Sequence, residues 1–256
     1  MSFSQWSAHA GTAPSPSHPD DCQDSAAVFE NDYGDVLVAV ADGVASASHA
    51  TFASRNAVSL VGELFGSSAS VPRRPDLLVE WLGLLMSQCR SQFVEVVSAA
   101  GYGVEDCSTT LLFLVLAGDL LGYGSIGDSF IVVRDKLCGV KVLLEPERAD
   151  NEARSVTWTL DDAEAHSRYG VYDASGLEAV CVSTDGLEKY LRYRGVRGLD
   201  DRMRQAVWGV NVAIERLMER YTKSCSASEL EFVDRPDVRS SKGDDIGVAL
   251  AARRPA

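Results

Sequence analysis

The sequence predicts an α+β sandwich and not a strictly alternating parallel-sheet fold. Two observations predict this class. Apolar, β-branched runs typical of strands outnumber the segments with helical periodicity, and the helices come in long separate blocks. A fold with a parallel sheet would instead alternate short strands and helices along the chain.

The first half of the chain is predicted to contain two strands followed by two helices. A Ser/Pro-rich entry loop, "TAPSPSHPDD", leads into the strand "SAAVFE", the turn "NDYGD" and the continuous apolar strand "VLVAVA". Helical spacing then runs from about His49 to Phe65 and from about Asp76 to Ala99. The inner stripe of the second helix is predicted to be Leu77, Leu78, Trp81, Leu84, Leu85, Cys89 and Phe93.

The second half is predicted to be mostly β-structure. The runs "TTLLFLVLA", "LLGYGSIG", "SFIVVRD" and "GVKVLLE" are joined by turn residues, which predicts an antiparallel meander. Residues 145–176 are polar and weakly patterned, a candidate loop or flap. The strand "EAVCVS", a long amphipathic helix from about Leu199 to Thr222 and a final strand, "IGVALAA", complete the prediction.

Composition excludes several classes of function. The net charge of −13 over 256 residues argues against a nucleic-acid binder, which needs a basic footprint. There is no apolar run of about 18 residues, so we expect no membrane span. The six cysteines are scattered without a C-x-x-C pair, which argues against a zinc site. Together with an N-terminus that lacks a secretory pattern, this favours a cytoplasmic protein.

Aspartates adjoin most of the predicted strands. Two apolar strands end in Asp-Gly, and further aspartates precede or separate others, at Asp24, Asp42, Asp128, Asp185, Asp244 and Asp245. Carboxylates gathered at one sheet edge repel one another unless a cation neutralises them, and oxygen-only ligands suit Mg²⁺ or Mn²⁺. A single Asp-Gly is more often a turn, so the pattern leaves both a metal site and ordinary turns open.

The order of these motifs resembles the metal-dependent protein phosphatases of the protein phosphatase 2C family, most closely the bacterial branch. The segments that carry the resemblance run in the expected order from about His18 to Ala251. They are "CQDS", "VAVADGV", "CSTTLLFLVL", "GYGSIGDSFIVV", "VCVSTDGL" and "GDDIGVAL". The resemblance implies one catalytic domain over residues 1–256, built as a four-layer αββα sandwich of two antiparallel sheets flanked by helices.

The resemblance also implies roles for individual residues. Asp42 matches the aspartate that bridges two metal ions, and Gly43 the glycine whose carbonyl faces one of them. Asp185 and Asp244 match the aspartates that complete the other metal. Asp24 matches the first-motif aspartate that holds water at the metals, and Asp128 an aspartate that in some relatives helps to hold a third ion. By resemblance, Asp24, Asp42, Asp185 and Asp244 are the catalytic carboxylates.

The implied activity is hydrolysis of phosphoserine or phosphothreonine in proteins, with Mg²⁺ or Mn²⁺. A Ser/Thr kinase would then be the partner enzyme, without nucleic acid or membrane, and the oligomeric state stays open. The chain also departs from the family: Pro19 replaces a phosphate-binding arginine, Val44 a histidine, and Lys189 an acid. Two alternatives therefore remain, namely a catalytically weak binding module and a phosphatase of small phosphoesters.

Overall fold

The computed structural model describes residues 5–68, 70–146, 166–195, 206–235, 238 and 243–254. Within these ranges the chain forms two five-stranded antiparallel sheets, a two-stranded hairpin and three α-helices. The strands are β1 (Trp6–Ala13), β2 (Ser25–Glu30), β3 (Val36–Ala41), β4 (Leu111–Ala117), β5 (Leu120–Ile126), β6 (Phe130–Asp135), β7 (Gly139–Leu144), β8 (Arg168–Asp173), β9 (Leu177–Ser183), β10 (Leu191–Gly195), β11 (Ala206–Val210) and β12 (Ile246–Arg253). The helices are α1 (Ala50–Ser67), α2 (Pro75–Ala99) and α3 (Val212–Ser224).

The two sheets pack face to face. Sheet I has the order β1-β12-β9-β6-β7, and sheet II the order β2-β3-β4-β5-β8. All six residues of β3 are buried, because alternate side chains of this strand enter different layers of the core. Val36, Val38 and Val40 lie between the sheets, whereas Leu37 and Ala39 face the helices.

Helices cover the outer face of each sheet, so the predicted four-layer αββα sandwich is confirmed. The α1 and α2 helices pack on sheet II, and α3 packs on sheet I together with a 3-10 helix, Ala227–Asp234. The predicted inner stripe of α2 was partly wrong. Leu77 and Leu84 are 43% and 62% exposed, while Leu82 and Met86 are buried instead, because apolar residues occur on both sides of this helix and leave its rotation ambiguous.

The predicted antiparallel meander is right at its first and last junctions and wrong at the middle one. β4 pairs with β5, but β5 then pairs with β8, and β6 pairs with β7 and β9 of the other sheet. The chain therefore changes sheets between Ile126 and Phe130. Gly127 has a φ of 104°, a conformation that favours glycine. The turn residues at this junction mark a crossover between layers and not a hairpin.

Two further predictions fail in part. Residues 168–173 of the candidate loop 145–176 form β8 at the edge of sheet II, and residues 147–165 lie outside the described residues.

The predicted helix from Leu199 begins only at Val212, capped by the Asn211 side chain, which accepts the N–H of Ala213 over 3.2 Å. Residues 206–210 pair as a strand with β10, and residues 199–205 lie outside the described part.

The N-terminal strand β1 was not predicted from the sequence. It pairs along its whole length with β12, from Trp6 opposite Arg253 to Ala13 opposite Ile246. This pairing brings the entry loop, residues 14–24, beside the start of β12. No helix in the described part of the chain combines the length and the apolar character needed to cross a bilayer.

Candidate metal centre

Antiparallel pairing brings the motif aspartates of sheet II to one edge. Asp24 precedes β2 and Asp42 follows β3, and in the register of these strands Ser25 lies opposite Ala41. The two carboxyl groups consequently lie next to each other and share a hydrogen bond.

The aspartates of sheet I meet at the adjoining edge. Ser183, at the end of β9, lies opposite Phe130 at the start of β6 and opposite Val248 near the start of β12. This register brings Asp128 and Asp185 together. Carboxylate oxygens of Asp42, Asp128 and Asp185 all lie within 4.8 Å of one another.

Asp244 occupies a different position from this group of three. Its side chain is exposed, yet its negative charge raises the pKa of both Asp42 and Asp185. It therefore lies at the rim of the cluster, and Asp24 lies at its buried base with 4% of its surface exposed.

The buried carboxyl groups destabilise one another in their charged form. Burial raises the pKa of Asp24 to about 8, and hydrogen bonds from Thr184 and with Asp42 only partly offset this. Burial likewise raises the pKa of Asp185 to about 8, with added repulsion from Asp42 and Asp128. The pKa of Asp42 is raised well above its usual range by burial and by the charge of Asp24. A bound cation would reverse this penalty.

The residues present fit a hard divalent cation. Oδ1 of Asp185 is buried and accepts no hydrogen bond from the described residues. Within the same part of the chain, no Lys or Arg forms an ion pair with Asp24, Asp42 or Asp185. The converging donors are all carboxylate oxygens, which favour hard cations over zinc or copper.

Two threonines hold the backbone of Asp42. Oγ1 of Thr110 accepts the Asp42 N–H over 2.9 Å, and the Thr110 N–H donates to the Asp42 carbonyl over 2.8 Å. Oγ1 of Thr109 donates to the same carbonyl over 2.8 Å. The "CSTT" segment, predicted as the start of a structural strand, thus also positions a carboxylate of the cluster.

Gly43 lies against two backbone carbonyls. A Cβ at this position would be 2.6 Å from the Ala50 carbonyl oxygen and 2.7 Å from that of Gln23. Only glycine therefore lets the chain after Asp42 pass between the entry loop and the start of α1.

Some neighbouring residues hold the backbone beside the motif aspartates, and the sequence did not predict this. Arg168 of β8 donates to the carbonyl of Gly127 over 2.7 Å and so holds the crossover that carries Asp128. Thr184 was assigned no role from the sequence, and Asp245 was noted only as one of the aspartates that adjoin strands; each directly adjoins a motif aspartate. Lys189 donates to the carbonyl of Val238.

The chain matches the family pattern described as protein phosphatase 2C over residues 18–229. It belongs to the protein phosphatase 2C family. The match spans more than half of the chain and contains Asp24, Asp42, Asp128 and Asp185, so membership among the phosphoprotein phosphatases agrees with the motif order. No curated protein sequence matches the chain.

Solved phosphatase structures share the fold of this protein phosphatase 2C member. A bacterial serine phosphatase is 15% identical, with a TM-score of 0.69 and coverage of 97% of this chain and 98% of that one. The serine/threonine phosphatase Stp1 from Staphylococcus aureus is 16% identical, with a TM-score of 0.67 and coverage of 100% and 98%. For PstP from Mycobacterium tuberculosis the identity is 17%, the TM-score 0.64 and the coverage 98% and 99%. At such identities the likeness concerns the fold alone.

Proposed function

We propose that the chain is a metal-dependent serine/threonine protein phosphatase that hydrolyses phosphoserine and phosphothreonine. The observation that carries the proposal is the convergence of Asp42, Asp128 and Asp185 within 4.8 Å at one end of the sandwich. Family membership supports the reaction class, and the serine/threonine phosphatases among the structural neighbours support the choice of serine and threonine.

Two Mg²⁺ or Mn²⁺ ions would supply an acidified water as nucleophile and neutralise the phosphoryl oxygens. In this proposal Asp42, the Gly43 carbonyl, Asp185 and Asp244 would hold these ions, and Asp128 would help to hold a third. Asp24, buried and hydrogen-bonded to Thr184, would orient the attacking water.

The protein contributes rigidity to this arrangement. Asp42 and Asp185 follow the ends of strands in two packed sheets, and buried threonines hold the neighbouring backbone. Carboxylates held by packed strands and buried hydrogen bonds keep a defined geometry, which favours stabilisation of charge in the transition state.

The first test is metal-dependent hydrolysis of an aryl phosphate and of matched phosphothreonine and phosphotyrosine peptides. We expect activity that requires Mn²⁺ or Mg²⁺, disappears with chelator and favours phosphothreonine. Asp42→Asn and Asp185→Asn should each lose more than the roughly 10–100-fold typical of residues that merely orient metal ligands.

The outcomes separate the alternatives. Undiminished turnover of both variants in chelator would refute the metal assignment. Mn²⁺ binding with turnover at background would identify a binding module, and hydrolysis of small phosphates but not phosphopeptides would identify a small-molecule phosphatase.

We further propose that residues 1–256 act as one catalytic domain, that the substrate is the product of a Ser/Thr kinase, and that the protein works in the cytoplasm. All six cysteines are free thiols, which supports a reducing compartment. Fractionation of the native host, with immunodetection of the protein, tests the location.

A further inference from the structure

Asp245 is a buried carboxylate that joins the entry loop to the start of β12. Its side chain is 3% exposed. Oδ1 accepts the backbone N–H of Ser15, and Oδ2 accepts the backbone N–H of Gln23 over 2.7 Å. Nδ1 of His18, a partly exposed residue, lies 3.6 Å from Oδ1. One side chain thus holds both ends of the loop from residue 15 to residue 23.

These contacts act on two carboxylates of the candidate metal centre. Gln23 directly precedes Asp24, so the hydrogen bond to its N–H sets where the Asp24 backbone lies. The backbone N–H of Asp245 itself donates to Oδ1 of Asp244 over 3.0 Å. Ser15 closes the same junction, because its hydroxyl donates to the carbonyl of Gly243 over 2.7 Å.

Asp245 also lies against the motif that carries Asp185. A Cβ on Gly186 would collide with the backbone carbonyl of Asp245, which shows that the two segments pack backbone to backbone. Asp245 therefore contacts Gln23, which precedes Asp24, and Gly186, which follows Asp185. It also directly follows Asp244 in the chain.

We propose that Asp245 is a positioning residue, which sets the places of Asp24 and Asp244 without binding metal itself. This inference rests on the proposed function. Both of its carboxylate oxygens already accept backbone N–H groups.

The chemistry of the contact requires a carboxylate. Two N–H donors converge on the side chain from different parts of the loop, and each of its two oxygens accepts one of them. An asparagine has one acceptor oxygen and an NH₂ group that would face the second N–H. Asp245→Asn therefore breaks one end of the loop attachment with almost no change in volume.

The test compares Asp245→Asn with a matched control, Asp35→Asn. Asp35 is also buried, at 2% exposed, and accepts a hydrogen bond from Arg73 over 2.7 Å. It precedes β3, whereas Asp42 follows that strand, so it lies at the opposite end of the sheet. Each variant loses one buried carboxylate, but only the carboxylate of Asp245 adjoins the candidate centre.

Hydrogen–deuterium exchange of the metal-free protein measures how firmly Asp245 holds the entry loop. In Asp245→Asn, segment 15–24 should exchange at least about tenfold faster, as expected for losing a charge-assisted hydrogen bond. Mn²⁺ affinity, measured by calorimetry, should fall about 10–100-fold, and the Mn²⁺ concentration for half-maximal aryl phosphate hydrolysis should rise with it. Asp35→Asn should change none of these three measurements, even where its unfolding midpoint falls.

Each outcome decides a different question. Wild-type protein that binds no Mn²⁺ would contradict the proposed function. Wild-type binding with an equal affinity in Asp245→Asn would overturn the positioning role. If Asp245→Asn does not fold, Ser15→Pro removes the N–H donor to Oδ1 and the hydroxyl bond to Gly243, and leaves Asp245 intact. An unchanged Mn²⁺ affinity in that variant would also overturn the inference.

Discussion

The hydroxyl of Thr184 donates a hydrogen bond to Oδ2 of Asp24 over 2.7 Å, across 160 residues of sequence. The same hydroxyl accepts the N–H of Gly247 over 2.9 Å. Thr184 is fully buried and directly precedes Asp185. A single hydroxyl therefore connects the end of β9, the start of β12 and the residue before β2, and this holds the two sheets together at the candidate centre.

Replacing this hydroxyl should destabilise the protein. Thr184→Val keeps the shape but removes the donor to Oδ2 of Asp24 and the side-chain acceptor of the Gly247 N–H. We expect a loss of about 1–3 kcal/mol in the free energy of unfolding, the usual cost of an unsatisfied buried polar group. Urea unfolding in chelator measures it. Thr222→Val, which removes a bond to a helical carbonyl of α3, should stay within about 0.5 kcal/mol. Equal effects of the two substitutions would contradict this role.

The stability of the metal-free protein should fall as pH rises from about 4 to 8. The pKa values of Asp24 and Asp185 are raised to about 8 in the folded protein, against about 4 when unfolded. Folding therefore favours their protonated forms, and this contribution is complete below pH 4 and lost as pH rises through 8. Melting temperatures in chelator at pH 5, 6, 7 and 8 measure the decline.

Two controls separate these carboxyl groups from the rest of the acidic surface. Asp185→Asn removes one titrating group and should make the decline shallower. Mn²⁺ added at pH 8 should raise the melting temperature, because it binds the deprotonated folded state. A wild-type melting temperature that stays constant or rises over this range would be incompatible with the raised pKa values.

A methyl group at position 43 should disturb the centre. In Gly43→Ala the new Cβ would lie 2.6 Å from the carbonyl oxygen of Ala50, so the backbone after Asp42 must shift. We expect a lower unfolding midpoint together with weaker Mn²⁺ binding by calorimetry. Gly83→Ala, in the middle of α2 with no atom within 4 Å of its Cβ, should instead stabilise by about 0.5–1 kcal/mol. Unaltered Mn²⁺ affinity in Gly43→Ala would count against the close packing there.

Adjacent leucines on α2 should respond very differently to truncation. Leu85 is 3% exposed and lies in the core between α2 and sheet II, whereas Leu84 is 62% exposed. Leu85→Ala should cost about 2–5 kcal/mol of unfolding free energy through lost burial and a residual cavity. Leu84→Ala should change it by no more than about 0.5 kcal/mol. Chemical denaturation measures both, and similar losses would mean that the helix is rotated from its position here.

Local sequence predicted most elements of the fold because their patterns are strong. β3 is apolar at every position, and such a run is stable only when both faces are buried. α1 shows helical spacing over most of its length, and the structure places it close to the predicted bounds. Failures came where tertiary pairing outweighed local pattern. β1 has mixed character and becomes a strand only because β12 offers it a full register of hydrogen bonds.

The candidate site was predictable in composition but not in geometry. Asp42 and Asp185 stood out because each ends an apolar strand on a charged residue. Thr184 gave no such signal, and Asp245, although it precedes an apolar strand, could equally have faced water. Their partners, Asp24 and Gln23, lie more than 150 residues away in the sequence.

The sequence by itself determined which segments bury apolar surface and which carboxylates interrupt them, because side-chain periodicity and strand ends are local properties. Only the tertiary structure decided that the chain changes sheets at Gly127. The same is true of the convergence of Asp42, Asp128 and Asp185 and of the burial of Asp245 against the entry loop. These facts depend on strand order and register. Both are set by the packing of distant segments, and no local pattern encodes which edge of a sheet two strand ends will share.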